Sequence, residues 1–413
     1  MQPVEIGPVP AQERTQTPLD IFLIFAAANI VATTLQVGAS LASSFSFRVG
    51  LTMIVVGVIA GSGIVASVSP IGPRLGVPSI IATRAVLGIR GAAIVAVFLY
   101  LMNFAWIALN NVIAASAATR VAGGEGRYWS IGLGLAATAV VAAGPRAVAI
   151  AARFSVPLLI LVGLVFTIAL TRVPVSPPVT AATGGDRWFS ALDVVIAYQV
   201  SWILMFADYT RYTRSERGSA IAVFSGLALT SLWFMPLGLG AARVAGSHDP
   251  GTMTAALGLG IFGPLLHAVA TVTTNFVNIY LSALALKSLF PRVGQQFSIW
   301  SIGIIGTVLG AFSGQWLDRY ADFMVLLGAS LVPVGSLLFA HFFLLKVPVR
   351  TEDLYDPEGP YGGRLGISFP AILAWGSGTA IYFMAGNIGG TLPAIVTTIA
   401  VYATARSVGK MIR

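Results

Sequence analysis

Runs of apolar residues long enough to cross a bilayer recur along this chain, and they constrain it more than any other feature. A spanning helix needs about 20 such residues. Read between charged or Gly/Pro-rich breaks, the runs number twelve: 21–45, 50–69, 92–119, 129–144, 147–171, 188–208, 219–243, 257–286, 297–314, 322–345, 369–387 and 390–407. Only 9% of the residues are charged, against about 25% in a soluble domain. An all-α integral membrane protein with about twelve transmembrane helices is expected.

The basic residues test this division. With both termini in the cytoplasm, 17 of the 24 Lys and Arg fall in cytoplasmic segments and 7 outside, the bias that the positive-inside rule describes. A multi-pass protein of the cell inner (plasma) membrane with cytoplasmic termini is expected. The start, "MQPVEIGPVPAQERTQTPLD", lacks the basic end and apolar run of a cleavable signal, so the first apolar helix should insert and stay. The net charge is +9, but the Lys and Arg lie between apolar runs rather than in a cluster, which argues against nucleic acid as a partner. With no Cys, there is neither a disulfide framework nor a cysteine metal site. The longest connection, 346–368, is polar and turn-rich and reads as a loop.

Several runs carry polar residues on one helical face. In the eighth, Thr271, Thr274, Asn275, Asn278 and Ser282 step by three, one, three and four, and polar groups in lipid face a partner, a cavity or a ligand. In the third, Asn103, Trp106 and Asn110 share a face. An indole beside an amide suits a planar heterocycle, which stacks on the ring and hydrogen-bonds the amide; Asn–Asn contacts between helices with an interfacial Trp are the alternative. The sixth holds Tyr198, Gln199, Ser201 and Trp202 in its middle, read either as a helix break facing a cavity or as a polar stripe. Near its cytoplasmic end, Asp208 and Arg211 are spaced to pair. In the first, Asn29, Thr33, Thr34 and Gln36 lie mid-membrane. A break there would free carbonyl oxygens for a cation, and Thr273 and Thr274 would add hydroxyls suited to Na+. Paired polar middles in the first and sixth runs, and Asn-rich faces in the third and eighth, hint at an inverted repeat.

What the membrane region lacks also matters. Asp193 and Asp208 fall in the outer turns of the sixth run, and no carboxylate sits mid-membrane. A proton-coupled carrier usually has one there, and an ionic substrate would want a fixed counter-charge. A neutral substrate is favoured, with Na+ as coupling ion and H+ as the alternative; no other cofactor is expected. No nucleophile–His–acid set or phosphate loop is visible, so the chain is not read as an enzyme.

Four stretches resemble the nucleobase–cation symporters, the group of cytosine/purine, uracil, thiamine-precursor, allantoin and hydantoin permeases. They are "VPAQERTQTPLDIFLIFAAANI", "GPRLGVPSIIATRAVLGIRGA", "ADYTRYTR" and "TTNFVNIYLSAL". The resemblance implies a LeuT-like five-plus-five inverted repeat with two extra C-terminal helices. On that view 1–20 is a cytoplasmic N-terminal segment, 21–345 the ten-helix transport core, 346–368 a cytoplasmic loop, and 369–413 two accessory helices with a short tail. It also implies a substrate between Trp106 and a sixth-helix aromatic, with Trp202 and Tyr198 both candidates and Gln199 between them. Asn110, Asn275 and Asn278 would supply amides, and Thr273, Thr274 and the Ala270 carbonyl would bind the cation near Asn29 and Thr33. The expected function is import of a small neutral heterocycle, cytosine or a related purine or pyrimidine first. A thiamine-precursor, allantoin or hydantoin permease follows, then an amino-acid carrier of the same architecture or a sensor that binds without transporting.

Overall fold

The computed structural model describes residues 6–173, 188–312, 317–386 and 388–411. Positions 313–314 and 387 of the expected runs, together with Arg187 and Arg413, lie outside them. A helix stands at the place of each run. In chain order, and called the first to twelfth spans after the run each one matches, the helices are Pro18–Asn29 with Ala32–Leu41, Phe47–Val68, Ile89–Ala122, Gly126–Ala142, Pro145–Arg172, Trp188–Val200, Glu216–Ala245, Phe262–Leu289, Gln295–Phe312, Tyr320–Phe339, Phe369–Met384 and Thr391–Met411. Among the described residues, seven helices are long and apolar enough to cross a membrane, or eight if the bent pair that opens the chain counts as one.

That first span is broken. Its lower half starts on a capping box between Thr17 and Asp20 with Pro18 behind it, which satisfies the first free N–H groups. It stops at Asn29, Val31 is extended, and Ala32–Leu41 resumes at 59°. Neither Gly nor Pro makes this break; side chains do. Thr34 Oγ1 donates to the Asn29 carbonyl (2.6 Å), and the Tyr320 hydroxyl donates to the Thr33 carbonyl (3.1 Å). Backbone groups released inside a membrane need such partners. The sixth span breaks too: it is α-helical to Val200, a tight 3-10 turn through Ser201–Met205, then α-helical again over Phe206–Thr210. The Tyr198 hydroxyl meets Thr34 Oγ1 at 2.6 Å, so the two breaks are joined.

The upper half of the first span crosses the seventh with its backbone nearly touching. A Cβ on Gly38 would stand 1.8 Å from the Met235 carbonyl oxygen, and one on Gly238 would stand 1.9 Å from that of Leu35. Within lipid, such close packing of small residues replaces the hydrophobic drive as the force between helices. The interior divides into two apolar clusters. The larger runs through the first, second, sixth, seventh and tenth spans, takes in parts of the third, fifth and eighth, and reaches the last two; the smaller, with Phe104, Ile107, Phe276, Ile279 and Ile302, joins the third, fourth, eighth and ninth. Loop 346–368 ties down the short helices after the second span: Arg84 donates to the Leu354 carbonyl (3.0 Å), and the Ser368 N–H donates to that of Leu87 (2.8 Å).

Candidate functional site

A cavity lies where the two breaks face the third and eighth spans. Its wall includes Thr33, Asn103, Trp106, Tyr198, Trp202, Thr274 and Asn278, with Ala28, Val31, Met102 and Leu327 among its other members. Of the residues the resemblance assigned to substrate or cation, six share one cavity, Thr33, Trp106, Tyr198, Trp202, Thr274 and Asn278, and Asn103 and Ser201, singled out by spacing alone, join them. Asn29, Asn110, Gln199, Ala270, Thr273 and Asn275 do not line it.

The rings are held by other rings. Phe323 meets Trp106 edge-on at 5.1 Å and 75°, and Tyr198 does so at 6.1 Å and 79°. Such edge-to-face contacts favour one ring orientation over others. Trp202 leans on Phe25 at 5.9 Å. Both indoles are only partly buried, whereas Tyr198 is 2% exposed and has its hydroxyl committed to Thr34.

The amides sort into two groups. Asn110 Nδ2 donates to Asn275 Oδ1 (3.0 Å), Asn275 Nδ2 donates to Asn111 Oδ1 (3.0 Å), and Thr271 Oγ1 donates to the Asn110 carbonyl (2.8 Å). This set joins the third span to the eighth and turns away from the cavity. Asn278 faces the cavity, with Nδ2 3.5 Å from Asn275 Oδ1. Asn103 lines it too, its buried Nδ2 without a protein partner. Gln199 instead donates to Ser231 Oγ of the seventh span (2.6 Å).

The oxygen donors expected for a cation are divided likewise. Thr274 Oγ1 bonds the Ala270 carbonyl (2.7 Å), and Thr273 Oγ1 bonds those of Val269 (2.8 Å) and Ala270 (3.1 Å). Both hydroxyls back-bond to their own helix, and Thr274 alone of the two reaches the cavity, which it shares with Thr33. Asn29 turns to the seventh span, where Nδ2 meets Thr230, Ser231 and the Leu227 carbonyl. At the C-terminal end of the sixth span, Asp208 accepts from Ser79 Oγ (2.6 Å), and Ser79 accepts from the Ala207 N–H (2.8 Å), so the carboxylate fastens that span to the connection after the second.

Sequence reasoning missed Thr230, Ser231, Phe323, Tyr320 and Ser79. For the first two a signal existed, since "LTSLW" (229–233) places two hydroxyls inside an apolar run. The others look like ordinary packing or loop residues.

A family model described as permease for cytosine/purines, uracil, thiamine and allantoin matches residues 8–404. A putative purine-cytosine permease of Bacillus subtilis (strain 168), YxlA, is 22% identical over 377 residues, covering 86% of this chain and 82% of its own. Among solved structures, inward-facing Mhp1 superposes with a TM-score of 0.82 at 18% identity, covering 97% of this chain and 93% of Mhp1. Mhp1 in a closed conformation with bromovinylhydantoin bound, described as a nucleobase-cation-symport-1 family transporter, gives 0.81 at 18% identity over 100% and 96% of the two chains. The likeness extends more weakly to MhsT in complex with L-phenylalanine, at 0.54 and 14% identity over 93% of this chain and 98% of MhsT. These structures share the fold, an all-helical LeuT-like architecture. The match over nearly the whole chain places it in the cytosine/purine, uracil, thiamine and allantoin permease family, a membrane transporter and not an enzyme.

Proposed function

We propose that the protein imports a neutral, planar heterocycle by Na+ symport, with cytosine or a related purine or pyrimidine as the first candidate. The observation that carries this reading is the cavity wall: two partly buried indoles, two amides and no charged side chain. A charged ligand would enter without a counter-charge, at a desolvation cost of several kcal/mol. A flat neutral ring meets aromatic faces and amide edges instead.

On this reading Trp106 and Trp202 stack on the ring, while Asn278 and Asn103 read its edge. Trp202 is preferred to Tyr198 because the tyrosine is spent on joining the breaks. A cation between Thr274, Thr273, the Ala270 carbonyl and the Thr33 segment would hold the first span against the eighth. Ion and substrate would then fix the first and sixth spans against the third and eighth, whose relative rocking alternates access. Both termini then lie in the cytoplasm, as the basic residues favour. A hydantoin is the second reading, because the similar Mhp1 structure has bromovinylhydantoin bound.

Uptake into proteoliposomes tests this. Labelled cytosine should accumulate under an inward Na+ gradient and not when choline replaces Na+. Binding without uptake would point to a sensor, and uptake driven equally well by a proton gradient in choline would remove Na+ as the coupling ion.

A further inference from the structure

A second recess, of about 430 Å3, lies where the tenth span ends, and it shares no wall residue with the cavity. Its wall is apolar apart from two cations, Arg74 and Lys346. Arg74 is held in place. Its Nε and Nη2 donate to Glu216 at the start of the seventh span (3.3 and 2.6 Å), and its guanidinium stands 5.2 Å over the Phe343 ring. Nη1, which carries two N–H groups, is left for another acceptor.

Lys346 is placed by an unusual backbone. The tenth span closes in a widened turn of π type, Ala340–Leu344, and the Val347 N–H then donates to the His341 carbonyl (3.0 Å). Lys346 makes this turn with φ at +46°, where Gly or Asn usually stands because a Cβ is crowded there. Its ammonium has no carboxylate within ion-pair reach among the described residues, the nearby Glu352 facing Arg350. With Glu216 set against Arg74, the recess keeps one positive charge, which one phosphodiester cancels.

The mixture of walls selects the occupant. A free anion gains little from phenylalanine and valine, and a neutral lipid gains little from the two cations; a molecule with an anionic head and hydrocarbon chains is served by both. The level fits as well. The apolar run 322–345 ends one residue before Lys346, and Leu344 and Leu345 are 52% and 39% exposed, a surface for acyl chains. Basic pockets between membrane helices hold head groups of this kind.

We propose that the recess binds the head group of an anionic phospholipid, its phosphate between Arg74 Nη1 and the Lys346 ammonium. The lipid then joins the end of the tenth span to the Arg74–Glu216 pair, and so to the second and seventh spans. This holds whatever heterocycle or ion the cavity takes.

The test is lipid binding to the purified, delipidated full chain in detergent. Native mass spectrometry counts bound dioleoylphosphatidylglycerol or dioleoylphosphatidylcholine, and the melting temperature is read alongside. One phosphatidylglycerol should bind per chain ahead of phosphatidylcholine and raise the melting temperature. Lys346→Gln should weaken that binding about tenfold, the loss of one charge-assisted hydrogen bond. Arg350→Gln removes a cation outside the recess and should leave it unchanged. Equal losses in the two variants would mean diffuse attraction to basic residues, and equal binding of the two lipids would mean no head-group site; either overturns the proposal. So would inorganic phosphate that protects as well as phosphatidylglycerol, since the ligand would then be a free anion. Lys346→Gly guards against a variant that fails to fold. By relieving the left-handed turn it should raise the melting temperature of the lipid-free protein while weakening phosphatidylglycerol about tenfold. Wild-type affinity in Lys346→Gly would mean that the lysine serves only the helix end, and the proposal would fail.

Discussion

The third and eighth spans and the breaks of the first and sixth use the same residue types, Asn, Thr and an aromatic, with opposite results. Between the third and eighth spans, Asn110, Asn111 and Asn275 bond to one another and Thr271 closes on the Asn110 carbonyl. Around the breaks, Asn103 Nδ2, Asn29 Oδ1 and Gln199 Oε1 are left without partners, and Asn278 is held only at 3.5 Å. A set that bonds within itself works as glue, even with Asn111 Nδ2 left over. An open set in the membrane interior has a ligand or an ion to meet. The eighth span shows both on one helix: Thr271 and Asn275 belong to the glue, and one step around the helix Thr274 and Asn278 belong to the cavity.

The largest effect that would break this comparison is on Trp106. Trp106→Ala should weaken heterocycle binding about 5- to 150-fold, the loss of one stacked base contact, with expression retained. Undiminished affinity in a titration would take the open side of the comparison away. Asn275→Leu should act the other way round. It orphans Asn110 and Asn111, so thermal stability in detergent should fall by about 2 kcal/mol, while the folded remainder keeps its affinity. A stable variant with ruined binding would move Asn275 into the site.

Thr274→Ala sharpens the cation side. Loss of one hydroxyl, worth about 1 kcal/mol, should raise the Na+ concentration for half-maximal uptake about fivefold; an unchanged Na+ dependence would misplace the site. The smallest change in recognition is expected from Asp208→Asn, since Asp208 holds Ser79 rather than the cavity. Yield or cycling should drop, and an altered substrate profile would contradict that role.

The legible part of this molecule was set by local chemistry. Apolar run lengths placed the helices, and the polar middles of the first and sixth runs marked where the chain breaks. Helical spacing put Thr274 and Asn278 on one face of the eighth run and Trp106 on a polar face of the third, and the family resemblance implied that these faces share a site. Which amide would satisfy which could not be read, because Asn110 meets Asn275 across 165 positions and nothing local encodes that pairing. The same holds for Asn29, which was expected beside Thr273 and Thr274 and lies against Thr230 and Ser231 instead. The break after Asn29 has no Gly or Pro to announce it, since Thr34 and Tyr320, one local and one 287 residues away, hold its carbonyls.

Tryptophan fluorescence of the purified protein tests the central claim most directly. Cytosine, adenine, uracil, hydroxymethylpyrimidine, allantoin, a hydantoin and several amino acids would each be titrated in Na+ and in choline. An uncharged cavity walled by Trp106 and Trp202 predicts quenching by one heterocycle, tighter in Na+ than in choline, and smaller and shifted to higher concentration in Trp106→Ala. Silence from every heterocycle with a response to an amino acid would contradict the account.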